Sequence, residues 1–202
     1  MADYHKFVFD IKHRKFVGKF EEMYASEKEQ IFDSWHQEDS RFIAKQISSL
    51  IINQYQFTNI LDIGSGKGAF THTLKKNGNK VDALDISNSA LKMLAARYPD
   101  IGTICANINE DRVLEEILTK ANYDFVYCSE VLSYLKNWKE CIEIISKHVQ
   151  YLLVVLYIPD DPIGFVDSEE NLIKTCIKNF EIVHDIRLTS EQKVILFLKS
   201  KQ

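Results

Sequence analysis

The sequence predicts an α/β fold: a mostly parallel sheet with helices on both faces, an antiparallel hairpin at its end and a helical N-terminal cap. Three observations predict it. From residue 58 onward, short β-branched runs alternate with amphipathic stretches of helix length, the pattern of repeated βαβ units. The first of those runs, ILDI, leads straight into a glycine cluster. The last two runs, FEIVHDIRL and KVILFLK, are separated only by TSEQ, too short for the crossover that parallel neighbours require.

In chain order the strands are NILDIG, KVDALDI, GTICA, DFVYCS and YLLVVLYI, followed by the hairpin pair. Helices are expected over about 68–77, 88–97, 110–121, 137–148 and 168–179, with Asn88, Ser89, Asp111 and Asp167 with Ser168 where caps belong. Ahead of the sheet, residues 17–55 read as helical, and Ile43, Ile47, Leu50 and Ile51 fall on one face of the longest helix there. Such a cap is placed to cover the carboxyl ends of the strands, where open α/β sheets bind ligands. The 202 residues are expected to form one domain, a cap over 1–57 and a core over 58–202.

Composition narrows the function. The apolar runs are far shorter than the roughly 20 residues of a membrane helix, and the N-terminus has no unbroken apolar stretch of a secretory signal, so a cytoplasmic protein is expected. Cys105, Cys128, Cys141 and Cys176 have no Cys-x-x-Cys spacing and no paired histidines, which argues against zinc or a disulfide framework; no metal is expected. A net charge of −4 argues against nucleic acid as the main partner. The basic residues Lys6, Lys12, His13, Arg14, Lys15 and Lys19 read as a solvated face.

The densest signal is ILDIGSGKGAF, residues 60–70. Gly64, Gly66 and Gly68 permit positive φ and close approach of a ligand to bare backbone, with Ser65 among them. Asp85 ends the next strand about twenty residues on, where a carboxylate can take two ribose hydroxyls. A dinucleotide fingerprint needs Gly-x-Gly-x-x-Gly; this loop reads Gly-x-Gly-x-Gly, and Asp62 would repel a phosphate. The same carboxylate suits a ligand carrying an ammonium group. Lys67 does not stand in the Gly-Lys-Ser/Thr sequence of a phosphate-binding P-loop.

Asp-x-Gly-x-Gly-x-Gly followed by a strand-ending Asp resembles the class I S-adenosylmethionine-dependent methyltransferases, whose sheet is Rossmann-like, over about residues 58–199. The resemblance implies S-adenosylmethionine as cofactor and S-adenosylhomocysteine as product. It implies that Asp62 and the glycine loop hold the methionine moiety, Asp85 the ribose, and Ile86 the adenine face. At the third strand the family commonly has an acidic residue near the adenine amino group; here Asn107 stands there beside Ile108, and an amide oxygen can still accept that bond.

The run Ser129, Glu130, Val131, together with FDSWHQEDSRFIAKQISSL, resembles the branch that contains the nodulation-factor N-methyltransferases, which act on an amino sugar. That resemblance implies that Trp35 and Arg41 close the cofactor pocket, Arg41 offering its fork of donors to the methionine carboxylate. Ser129 lies where the fourth strand meets the cofactor. Glu130 is either a helix-start carboxylate or a group facing the methyl that positions or deprotonates an acceptor. His36 and Tyr134 are candidates for an acceptor pocket, His36 as a base. The expected function is methyl transfer to N or O of a small molecule such as a sugar or sugar nucleotide. The alternatives are a protein or nucleic-acid acceptor, or a non-catalytic module that binds S-adenosylmethionine.

Overall fold

A computed structural model describes residues 4–30 and 33–202. Seven strands form one sheet: β3 (Asn59–Ile63), β4 (Lys80–Asp85), β5 (Gly102–Cys105), β6 (Phe125–Ser129), β7 (Tyr151–Tyr157), β8 (Phe180–Leu188) and β9 (Lys193–Ser200). Their order is β5-β4-β3-β6-β7-β9-β8. The pairs from β5 to β7 are parallel, and β9 pairs antiparallel with both β7 and β8. The expected hairpin is present, and its second strand is the inner one. Burial follows position: β3 and β7 are buried almost end to end, whereas β8 at the edge alternates.

The chain leaves β3 for β4 and β5 on one side and returns to β6 and β7 on the other. The carboxyl ends of β3 and β6 therefore flank the crevice where the strand order reverses, and β-register puts Asp62 beside both Ala83 and Tyr127. One apolar layer packs α6 (Val113–Ala121), α7 (Trp138–His148) and α8 (Glu169–Asn179) on one face of the sheet. A second packs α3 (Ile43–Ile52), α4 (Thr71–Leu74) and α5 (Asn88–Arg97) on the other.

Several expected elements shift for local reasons. The helix expected over 68–77 shrinks to α4: Gly68, at φ +80°, is still turning, and beyond Leu74 the Asn79 side chain donates to the Leu74 carbonyl at 2.8 Å and ends the helix. α6 starts at Val113 rather than about 110, because Arg112 is left-handed; Asp111 caps nothing. Ser87, not Asn88 or Ser89, caps α5 by accepting the Ala90 N–H at 3.1 Å. Ser168 caps α8 as expected, with Asp167 bound to Asn171.

The cap is less helical than its sequence suggests. α1 (His5–Val8) leads into a short ribbon, β1 (Phe9–Asp10) with β2 (Lys15–Phe16), then α2 (Phe20–Gln30), a strap over residues 33–42, and α3. In α3 the buried face is Ala44, Ser48, Ile51 and Ile52, one step round from the expected stripe. Ile43 and Leu50 stay 45 % and 66 % exposed, because Ser48 satisfies itself on the Ala44 carbonyl (2.8 Å) and can be turned inward.

Candidate active site

The glycine loop leaves β3 by a turn that its backbone pins to β4. Gly64 and Ser65 both donate to the Leu84 carbonyl, at 2.7 and 3.1 Å. Asp62 is buried at the strand end and accepts the Thr71 hydroxyl at 2.6 Å; burial raises its carboxyl to about 7. Asp85 accepts N–H bonds from Gly66 and Ser87, each 2.8 Å, yet burial still raises it to about 6. Two buried carboxylates thus stand at the mouths of adjacent strands. Gly64 meets Val131: a Cβ built on it would lie 2.0 Å from that side chain.

A pocket opens over these ends. Asp62, Gly64, Ser65, Asp85, Ile86, Asn107, Ile108, Ser129, Glu130, Tyr134 and Trp35 line it, so eleven of the sequence-derived candidates meet there. Ile86, after β4, is 44 % exposed and Ile108, after β5, is buried, and both line the pocket. Asn107 accepts the Asn109 N–H at 3.1 Å and donates to Glu110, which turns its amide along its own loop.

Glu130 follows β6 in a left-handed conformation, φ +60°. Its Oε2 accepts the Tyr157 N–H at 2.9 Å, and its buried Oε1 faces Lys193 Nζ at 3.1 Å as an ion pair. Lys193 comes from the first residue of β9 and also lines the pocket. Tyr134 stacks on Phe16 (centroids 5.6 Å apart) and meets Phe20 and Trp35 at 5.2 and 5.8 Å.

The strap, α2 and the start of α3 roof the pocket with Phe20, Tyr24, Trp35, Gln37, Phe42 and Lys45. Trp35 and His36 are both left-handed, at φ +56° and +50°, a cost of roughly 1–2 kcal/mol each. Lys45 offsets it by donating to the carbonyls of His36, Gln37 and Asp39, each at 2.8 Å. Lys45→Met should therefore destabilise the protein by about 2–3 kcal/mol, read by urea denaturation.

Four candidates are not brought to the pocket wall. The Arg41 side chain is 89 % exposed and forks onto Asp39 at 3.0 and 2.8 Å instead of turning inward. His36 is exposed with its ring against Phe42, centroids 5.8 Å apart, because the strap's left-handed turn swings it outward. Gly66 and Gly68 lie behind the wall, where Cβ atoms would meet Gln37 and Leu94 respectively. Sequence reasoning missed Tyr24, Gln37, Thr71 and Lys193; nothing in local spacing ties them to a site assembled from distant segments.

The residues present suit an S-adenosylmethionine-sized ligand with a cationic end. Ser65 Oγ is buried at the pocket with no hydrogen-bond partner among the described residues, and Asp62 offers a buried carboxylate beside it. Asp85 keeps lone pairs beyond its two backbone bonds for hydroxyl donors.

A methyltransferase domain model matches residues 61–150. The chain is 27 % identical over 112 residues to phosphoethanolamine N-methyltransferase 1 of Zea mays, covering 54 % of this chain and 21 % of that protein. It is 33 % identical over 88 residues to ribosomal RNA small subunit methyltransferase A of Mycoplasmopsis pulmonis (strain UAB CTIP), covering 44 % and 33 %. The chain thus spans a third or less of the length of these curated relatives. Among solved structures, the N-methyltransferase NodS from Bradyrhizobium japonicum WM9 in complex with S-adenosyl-L-homocysteine superposes with a TM-score of 0.69 at 17 % identity, over 89 % of this chain and 98 % of that one. No helix among the described residues is long and apolar enough to cross a membrane. The matched methyltransferase domain covers the glycine loop, Asp85 and β6, and the sheet around them has the fold of the S-adenosyl-L-homocysteine-bound N-methyltransferase it superposes on.

Proposed function

We propose that the protein transfers a methyl group from S-adenosylmethionine to the nitrogen of a small amine, with an amino sugar as one such acceptor. The observation that carries this reading is the state of Glu130. Its Oε2 accepts the Tyr157 N–H, its Oε1 has no hydrogen bond among the described residues but is held opposite Lys193 as an ion pair, and the other candidate base, His36, does not line the pocket. A hydroxyl acceptor benefits from a free general base in the site, whereas an unprotonated amine needs none. The bound cofactor supplies an electrophilic methyl on a sulfonium. The chain's own residues then have to orient the amine and keep water out, and proximity can supply much of the rate. In this reading Glu130 is a fixed anion that draws an amine to the end of β6, and Phe20, Trp35 and Tyr134 give it an apolar wall.

The similarity to a ribosomal RNA methyltransferase supports a second reading, with a nucleic-acid acceptor. Against it stand the net charge of −4 and the two lysines that line the pocket, both engaged within the protein. The test is transfer of label from S-adenosylmethionine to amino sugars and ethanolamine phosphates, beside their N-acetylated counterparts and RNA. Label is expected on free amines alone; transfer only to hydroxyl compounds, or only to RNA, would overturn the proposal. Glu130→Gln is expected to lower turnover by about ten- to a hundredfold and leave the alkaline rise of the rate with pH in place, because that rise belongs to the amine. Loss of that limb in the variant would make Glu130 a base.

A further inference from the structure

We propose that Lys67 is a positioning residue for the cofactor: without touching the pocket, it holds α2 and the strap closed over it and so governs how fast the cofactor leaves. The proposal rests on the cofactor reading above. Lys67 sits between Gly66 and Gly68, and both of its ends are tied to the roof. Its ammonium forms ion pairs with Glu27 of α2 and, at 2.8 Å, with Asp33 of the strap. Its backbone N–H donates to Gln37 Oε1 at 3.0 Å, and the Gln37 amide donates onward to the Tyr24 hydroxyl at 2.9 Å. Ser34 donates to the second oxygen of Glu27 at 3.0 Å.

These pairs are not solvated surface bridges. The Lys67 side chain is 12 % exposed and that of Glu27 7 %. Removing one partner leaves the other charge buried and unmatched, so the contact resists opening far more than an exposed pair would. A second clasp stands on the same helix. Glu21 accepts the Ser87 and Ser89 hydroxyls at 2.6 and 2.7 Å, and the Ser89 N–H at 3.1 Å, on the loop after β4. α2 is thereby fastened to the loops leaving both β3 and β4, the two that carry the glycines and Asp85. Lys67 itself is not among the pocket-lining residues, whereas Tyr24 and Gln37, which it holds through that chain of bonds, are. Lifting the roof requires breaking the buried ammonium contacts, and that step would limit release.

The experiment follows S-adenosylhomocysteine by stopped-flow tryptophan fluorescence, using the full chain. It compares the unaltered protein with Lys67→Met, Lys67→Arg and Glu21→Gln, with tryptic cleavage between residues 20 and 45 as a second readout. Lys67→Met is expected to speed release by about ten- to a hundredfold, change association by less than about threefold, and lose the ligand's protection of the roof from trypsin. Lys67→Arg should restore slow release. Glu21→Gln, on the more exposed clasp, should speed release by a smaller factor, and it carries the test if Lys67→Met does not fold. A folded Lys67→Met, or failing that Glu21→Gln, with unchanged release would overturn the proposal alone. Absence of binding to the unaltered protein would overturn the cofactor assignment, and this proposal with it.

Discussion

Gly66→Val is expected to weaken S-adenosylmethionine binding at least about a hundredfold while the core strands remain folded, as read by calorimetry beside circular dichroism. Gly66 has φ +54°, which a β-branched residue scarcely adopts. The obstruction also differs from the one the sequence suggests. A Cβ there would lie 2.4 Å from Gln37 Oε1 and 2.7 Å from the Tyr24 hydroxyl, so the side chain strikes the roof and not the ligand's own space. Because Gly66 N–H also bonds to Asp85, any shift that relieves the clash drags that carboxylate. Gly78→Ala is the control: it shares a positive φ, +87°, and its Cβ would meet nothing within 4 Å. It should cost about 1 kcal/mol of stability and leave affinity unchanged. Equal affinity in a folded Gly66→Val would remove the loop from the site.

The second large effect is a dependence of stability on pH. Burial raises Asp62 to about 7 and Asp85 to about 6, above their values in the unfolded chain, so folding favours the protonated forms. The stability they contribute is complete below the unfolded carboxylate range, near pH 4, and is lost as pH rises through about 6 and then about 7. Without ligand the protein should lose a few kcal/mol between pH 4.5 and 8, measured by urea denaturation across that range. Asp62→Asn should flatten most of that slope and make the ligand-free protein more stable at pH 8, since the Thr71 hydroxyl still finds an amide oxygen. It should also weaken S-adenosylhomocysteine, whose ammonium loses its ionised partner. An Asp62→Asn protein with the original slope would show that the carboxyl is not the group responsible.

How much of this was legible in the sequence depends on the range over which each signal acts. The strands and hairpin were plain because burial on both faces writes unbroken β-branched runs such as YLLVVLYI, and because TSEQ is too short for a crossover. Asp62, Gly64 and Asp85 were found because a strand, a turn and the next strand end lie within one local motif. The roof was misjudged because its conformation is set by distant partners. Trp35 and His36 turn left-handed, a conformation a tryptophan seldom adopts, held by Lys45 and by the packing of Trp35 on Tyr134. That turn sends Arg41 and His36 outward. Lys67 drew notice only as a failed P-loop lysine, since its partners Glu27 and Asp33 lie more than thirty residues earlier. In α3, the apolar stripe Ile43, Ile47, Leu50 lost to one with a self-satisfied serine, a choice that hydrophobic period alone cannot make.

The position of β9 bears on how the molecule comes into being. Val194 to Leu198, all buried to within 1 % of full enclosure, slot between β7 and β8, so the sheet's interior is completed by its last strand in sequence. During synthesis, β7 would present an unpaired and strongly apolar edge until residues 193–200 emerge, whereas β8 alternates polar and apolar residues. Lys193 arrives with that strand. The charge that faces Glu130 therefore arrives after the rest of the pocket lining: a nascent chain that has already closed its glycine loop still lacks Lys193 opposite Glu130 until that strand has emerged.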